Sequence, residues 1–165
     1  MFRNYSIVPK VQSVLFNTLR KRTEYTLALL KPDLCADPYA IKAVIEDIEK
    51  SEKPIRIYAH KKLYWDQQDA ELFYSQHAGK FFYERLVGYM ISGPFEAFVL
   101  EGDSVITRWR ELIGQTHPVR AKVNPKYSLR SRFGLTDTRN SFHGSDSQEN
   151  AFSEINLLFP ELLLK

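Results

Sequence analysis

The sequence predicts an α/β or α+β sandwich with helices packed on a sheet. A short, continuous apolar run, Thr26 to Leu30, has the length of a buried strand, and Phe95 to Leu100 reads as another strand. Between and after them, apolar residues recur at helical spacing, as in Ala40, Ile41, Val44, Ile45 and Ile48. The resulting order is strand, helix, strand, helices, strand, helix, strand, helix, which requires the two element types to share one core. At 165 residues, 44% hydrophobic and 26% charged, the chain has the size and composition of one globular domain.

Each element has a local reason. The first strand is stopped by Lys31-Pro32-Asp33. Pro38 suits the first turn of a helix that runs to Lys50. Pro54 then opens a second strand in which Ile55, Ile57, Ala59, Lys61 and Leu63 fall on one face by strict alternation. Asp66 is placed to cap a short helix holding Ala70, Phe73 and Tyr74. A further helix through Phe82, Leu86, Tyr89 and Met90 ends at Ser92-Gly93-Pro94, and the third strand follows from Phe95. Gly102-Asp103 turns into a helix carrying Val105, Ile106, Trp109, Leu112 and Ile113. The stretch from Gly114 to Gly134 lacks periodicity and reads as a long functional loop with five bases, Arg120, Lys122, Lys126, Arg130 and Arg132. A short strand is expected near Phe142. Ser147 caps a last helix with Ala151, Ile155, Leu158 and Phe159 on one side, closed by Pro160.

Charge divides the chain in two. The net is +3, but Arg3, Lys10, Arg20, Lys21 and Arg22 precede the first acid, Glu24. Without those five bases, 18 remain against 20 acids, a net of −2 for residues 24–165. That balance argues against a nucleic-acid-binding body. Residues 1–23 are acid-free, hydroxyl-bearing and amphipathic through Val8, Val11, Leu15 and Leu19, the traits of a mitochondrial transit peptide. The alternative is an ordinary N-terminal arm on a cytoplasmic protein. No apolar run approaches a membrane span. A lone cysteine, Cys35, rules out an internal disulfide and a cysteine-rich metal site within one chain.

The chemistry narrows by elimination. Seven scattered glycines form neither a Walker loop nor a dinucleotide fingerprint. If the protein handles phosphate, side chains must do what backbone amides do in glycine-rich loops. Lys31 past the first strand, Arg110 on a helix, Arg130 in the long loop and the hydroxyl of Thr116 are available for that task. The densest segment is Arg139 to Ser147, where His143 stands between Asn140 and Ser145 with Gly144 beside it, where bulk would block an incoming group. Such crowding suits a histidine that acts as a nucleophile or phosphate-site base.

Taken together, these residues resemble the nucleoside diphosphate kinase family over about residues 24–160. The strongest mark is Asn140-Ser141-Phe142-His143-Gly144-Ser145-Asp146. Leu30-Lys31-Pro32-Asp33, Phe82 to Leu86, Met90-Ile91-Ser92-Gly93-Pro94 and Gly114-Gln115-Thr116-His117-Pro118 support it. The resemblance implies a ferredoxin-like antiparallel sheet covered by helices, spanning residues 24–165 after the leader. It implies transfer of a γ-phosphate between nucleotides through a phosphohistidine at His143, with Mg2+ bound through the nucleotide phosphates. Lys31, Tyr74, Arg110, Thr116, Arg130 and Asn140 would then hold phosphates and the sugar hydroxyl. Phe82 and Leu86 would hold the base by stacking and contact, which predicts weak base discrimination, and Ser145 and Glu154 would orient the histidine.

Three features depart from the common pattern and resemble the divergent branch of the family. The loop between Thr116 and Arg130 is longer than usual, in a place where typical members build a hexamer. Asp137 takes a generally apolar position near the base, and the chain ends soon after Pro160. These departures leave homo-oligomerisation open. They also motivate an alternative: a nucleotide-binding interaction module of the same fold, weakly active or active only with a protein partner.

Overall fold

The computed structural model describes residues 23–51, 53, 55–123 and 127–162. The leader helix, Pro54 and Lys126 lie outside the described residues. Strand β1 (Glu24–Leu30) leads into the short helix α1 (Pro32–Cys35), then α2 (Pro38–Glu49) and β2 (Arg56–Leu63). Helix α3 (Gln67–Phe73), a 3-10 turn (Ser75–His77) and α4 (Tyr83–Met90) precede β3 (Phe95–Gly102). The chain continues through α5 (Val105–Ile113), α6 (Pro118–Val123), α7 (Leu129–Phe133), β4 (Phe142–Gly144) and α8 (Gln148–Leu158). None of these helices is long and apolar enough to cross a membrane.

The four strands form one sheet in the order β2-β3-β1-β4, with every neighbouring pair antiparallel. This is the ferredoxin-like arrangement expected. Helices cover both faces, so the central strands are buried twice over. Leu27, Leu29, Phe95, Ala97 and Val99 pack with residues of α3, α4 and α8. Ala28, Leu30, Phe98 and Leu100 pack with residues of α2, α5 and α7. Double burial explains why β1 reads as an unbroken apolar run over Leu27 to Leu30 and why Ala97 to Leu100 of β3 are apolar without alternation. Each fully buried large apolar side chain contributes about 1.5–3 kcal/mol.

The caps confirm several boundaries. Asp66 accepts from the Asp69 amide at 2.9 Å and Asp69 returns the bond, a reciprocal capping box that starts α3. Ser147 accepts from the Asn150 amide at 3.1 Å and starts α8.

Two expectations need correction. First, β2 does not keep one face. Ile57 pairs with Leu100 and Ala59 with Val99, so Tyr58 is an extra residue and the side-chain alternation flips there. Ile55 and Ile57 therefore belong to the α2/α5 layer, whereas Ala59 and Leu63 belong to the α3/α4 layer. Second, the segment 114–134 is not an unstructured loop, because it contains α6 and α7. Helix α7 is started by a capping box of Ser128 and Ser131. At five residues it is too short to show a helical period in sequence. The first strand does stop at Leu30 as expected, and the chain turns at once into α1, with Pro32 at its first position.

Candidate functional site

The segment 142–144 forms the edge of the sheet beside β1, where three consecutive carbonyls are held by side chains. Arg130 donates to the Phe142 carbonyl at 2.9 Å, Trp109 Nε1 to that of His143 at 2.9 Å and Arg110 to that of Gly144 at 3.2 Å. Helices α5 and α7 thus grip β4 from outside while β1 pairs with it. Backbone carbonyls at a partly buried edge need such donors, and here they also set the height of the His143 ring. Gly144 is required for this grip. A Cβ there would come within 2.6 Å of Trp109 Cδ1, so added bulk would strike the indole rather than block the cavity.

The His143 ring has a defined orientation. Its Nε2 lies 2.9 Å from Glu154 Oε2, and its plane meets Phe73 edge-on with centroids 5.3 Å apart. The Ser145 hydroxyl donates to the same Glu154 oxygen at 2.6 Å and accepts from the Leu27 amide at 3.1 Å. Because a carboxylate only accepts, Nε2 carries the proton and Nδ1 keeps its lone pair. Glu154 is on α8, two turns inside the capped start, and so folds back over the strand.

A cavity of about 460 Å³ opens beside this ring. It is lined by Lys31, Tyr74, Phe82, Leu86, Arg110, Thr116, Arg130, Asn140, His143 and Glu154, every residue singled out from sequence except Ser145. Ser145 is buried behind the histidine and touches it only through Glu154. The cations among them lack a direct ion-pair partner, although Asp33 acts on Lys31 and Arg110 on Asp146 at longer range. Among the described residues, Lys31, Arg110 and Arg130 meet no carboxylate within ion-pair distance. Lys31 Nζ donates instead to Asn140 Oδ1 at 2.9 Å. Arg130 donates a second bond to the Gly114 carbonyl at 2.7 Å.

Burial has its expected electrostatic effect. Lys31 is pulled down to about 7, first by desolvation and then by the nearby Arg130 charge, with Asp33 opposing. Arg130 is pulled to about 10 by desolvation and by Arg110. Burial raises the Tyr74 phenol, with the Glu154 charge adding to it. The Tyr74 hydroxyl and Arg130 Nε are buried without a hydrogen-bond partner. Lys31 and Arg130 are buried whereas Arg110 is exposed; the two buried cations and the unpaired donors beside them are costly for the chain alone, a cost that an anionic ligand would offset.

Tyr74, Phe82 and Glu154 stand differently toward the cavity. Tyr74 does pack in the core and also lines the cavity. Phe82 is half-buried at the cavity wall and Glu154 is engaged with His143. Asp137 also lines the cavity and approaches Arg85 at 3.9 Å, which puts a charged pair beside the apolar Phe82 and Leu86 surface. Sequence reasoning missed Phe73, His77 and Trp109. Phe73 and Trp109 look like core by spacing, and that is also what they are; their site contacts come from long-range packing. His77 lines the cavity and is held low by burial and by Lys80.

Comparison with known proteins agrees with this geometry. The family model described as nucleoside diphosphate kinase matches residues 24–163. Nucleoside diphosphate kinase 6 of Danio rerio is 44% identical over 141 residues, covering 86% of this chain and 79% of that protein. The nucleoside diphosphate kinase of Lawsonia intracellularis (strain PHE/MN1-00) is 43% identical over 136 residues, covering 82% of this chain and 94% of that one. In three dimensions the Aquifex aeolicus nucleoside diphosphate kinase matches with a TM-score of 0.78 and 35% identity, over 83% of this chain and 95% of that one.

Proposed function

The chain belongs to the nucleoside diphosphate kinase family, and from that premise we propose that it carries the γ-phosphate of a nucleoside triphosphate to a nucleoside diphosphate through a phosphohistidine at His143. The observation that supports this best is a conjunction in one cavity. An imidazole with Nε2 tied to Glu154 shares that cavity with three cations that have no carboxylate within ion-pair distance among the described residues.

In the first half-reaction the Nδ1 lone pair attacks the γ-phosphorus. A nitrogen–phosphorus bond forms and the bond from the γ-phosphorus to the bridging oxygen breaks. That electron pair leaves on the diphosphate, and the Nε2 proton stays against Glu154. In the second half-reaction a terminal oxygen of the acceptor diphosphate attacks the phosphorus and the nitrogen recovers its lone pair. One site is used twice, so the kinetics are ping-pong. Phosphoryl transfer needs mainly alignment and neutralisation of charge. Lys31, Arg110 and Arg130 serve the second need. Tyr74, Thr116 and Asn140 offer hydrogen bonds to phosphate and sugar, and Phe82 with Leu86 offers a face for the base. Ser145 and Glu154 orient the nucleophile.

The donor set suits a polyphosphate that brings its own metal. Among the described residues no three His, Cys, Asp or Glu side chains form a metal cage. Mg2+ would instead be held through phosphate oxygens and water. When bound, it supplies further neutralisation of the triphosphate charge.

The test is incubation with ATP radiolabelled in its γ-phosphate. The wild-type chain is expected to become labelled and His143→Ala to stay unlabelled; label retained by that variant would take His143 out of this role. A wild type that binds ATP yet never becomes labelled would replace transfer by nucleotide binding alone. For residues 1–23, mitochondrial import is a companion proposal, and a reporter fusion that stays diffuse in the cytosol would remove it.

A further inference from the structure

Behind the cavity wall, one carboxyl group joins three parts of the chain that the transfer reaction does not itself touch. Asp33, in the first turn of α1 and two residues after Lys31, receives two hydroxyl protons. The Ser141 hydroxyl donates to Oδ2 at 2.6 Å, with the Phe133 carbonyl a weaker second acceptor at 3.2 Å. The Tyr89 hydroxyl donates to Oδ1. Tyr89 belongs to α4, the helix that also carries Leu86. None of Asp33, Ser141 and Tyr89 lines the cavity.

Ser141 is the residue on which this arrangement turns. It is fully buried and has a φ of +65°, in the left-handed region that a serine rarely occupies. The Phe142 amide donates back to the Asn140 carbonyl at 2.9 Å, so the chain makes a γ-turn centred on Ser141. The Ser141 carbonyl in turn accepts from the Lys31 amide at 2.9 Å. One residue before the turn stands Asn140, bonded to Lys31 Nζ; two residues after it stands His143. A strained turn of this kind persists only where surrounding contacts over-determine it. Here the contact that reaches the side chain is Asp33.

We infer that Asp33, through the Ser141 hydroxyl, is a positioning residue that locks the γ-turn and thereby fixes Asn140, Lys31 and His143 relative to one another. The same carboxyl group, through Tyr89, ties that turn to helix α4, so the phosphate end and the base end of the cavity share one anchor. The inference rests on the proposed transfer reaction, and acts through geometry rather than through contact with the nucleotide.

The experiment compares Ser141→Ala, Ser141→Gly, Asp33→Asn and the double variant Ser141→Gly/Asp33→Asn. Steady-state transfer and thermal unfolding are read on each. Glycine accepts the left-handed φ without strain, so that variant folds even if the others do not. For Ser141→Gly, relief of strain offsets the lost hydrogen bond, and the unfolding midpoint is expected within about 3 °C of wild type. Its kcat is expected to fall roughly 10- to 100-fold, the cost of a small misplacement at a transfer site. Asp33→Asn, whose amide keeps one acceptor oxygen for two hydroxyl donors, should fall at least comparably, and the double variant should be no slower than the worse single one, because both changes break the Asp33–Ser141 link. A Ser141→Gly kcat within about twofold of wild type would overturn the inference, as would additive losses in the double variant. His143 labelling of the wild type is the control: an unlabelled wild type fails the kinase reading, whereas a labelled wild type with an unaffected Ser141→Gly fails this inference alone.

Discussion

Arg56 and Arg130 carry the same guanidinium under opposite conditions. Arg56 lies on the β2 edge with its side chain 65% exposed, in an ion pair with Glu101. Arg130 is 7% exposed and bonds only to backbone carbonyls. The contrast extends to their neighbours. Along β2, His60 pairs with Glu96 at 2.6 Å and Lys61 with Glu161 at 2.8 Å. Around the cavity, Lys31 and Arg110 have no such partner. Exposed pairs contribute little to stability, about 0–1 kcal/mol, and ask for nothing further. Lys31 and Arg130, buried without a carboxylate partner among the described residues, are costly to the free chain, and under the proposed function an anionic ligand offsets that cost. Paired charges thus line one edge of the sheet, and cations without such partners stand near the other.

The comparison can be broken most directly by deleting a cavity cation. Lys31→Met should lower transfer by roughly 10²–10³-fold while leaving the unfolding midpoint of the free protein unchanged or higher. A variant that keeps its rate, or that loses stability along with it, would show the cation to be structural. Glu154→Gln removes the anionic partner of the imidazole and is expected to slow transfer by roughly 10- to 100-fold. Normal single-turnover labelling in that variant would deny Glu154 its orienting part.

A subtler check uses pH. Lys31 is held at about 7 in the folded chain, against 10.5 for an ordinary lysine. Between those values the unfolded chain keeps a proton that the folded chain has released. Stability of the nucleotide-free protein should therefore rise with pH across that window, and the burden of the buried charge is full below about 7. Denaturation at several pH values should show this rise in wild type and a smaller one in Lys31→Met; parallel curves would contradict it. The smallest effect belongs to the other edge. Arg56→Ala should change stability by no more than about 1 kcal/mol and leave the transfer rate alone.

Much of the molecule was legible in advance because it depends on neighbours in sequence. Helices α2 and α8 repeat their apolar residues at the helical period and carry Pro38 and Ser147 at their starts. β1 is a continuous apolar run from Leu27 to Leu30, and β3 holds one from Ala97 to Leu100. The Asn140 to Asp146 segment and its companions pointed to the family and to ten residues that do line one cavity. What could not be read depends on contacts between distant segments. The bulge at Tyr58 follows from register against β3, and α6 and α7 are too short to show a period. Trp109 is spaced like any core residue, yet its indole dictates glycine at position 144. Nothing local distinguishes Lys31 or Arg130 from a solvated surface base until folding buries them beside each other without a carboxylate. Nor does Ser141 look different from any other serine until Asp33, 108 residues away in sequence, meets its hydroxyl. Periodicity and side-chain chemistry travel with the chain, whereas burial, pairing and strain exist only once remote residues are brought into contact.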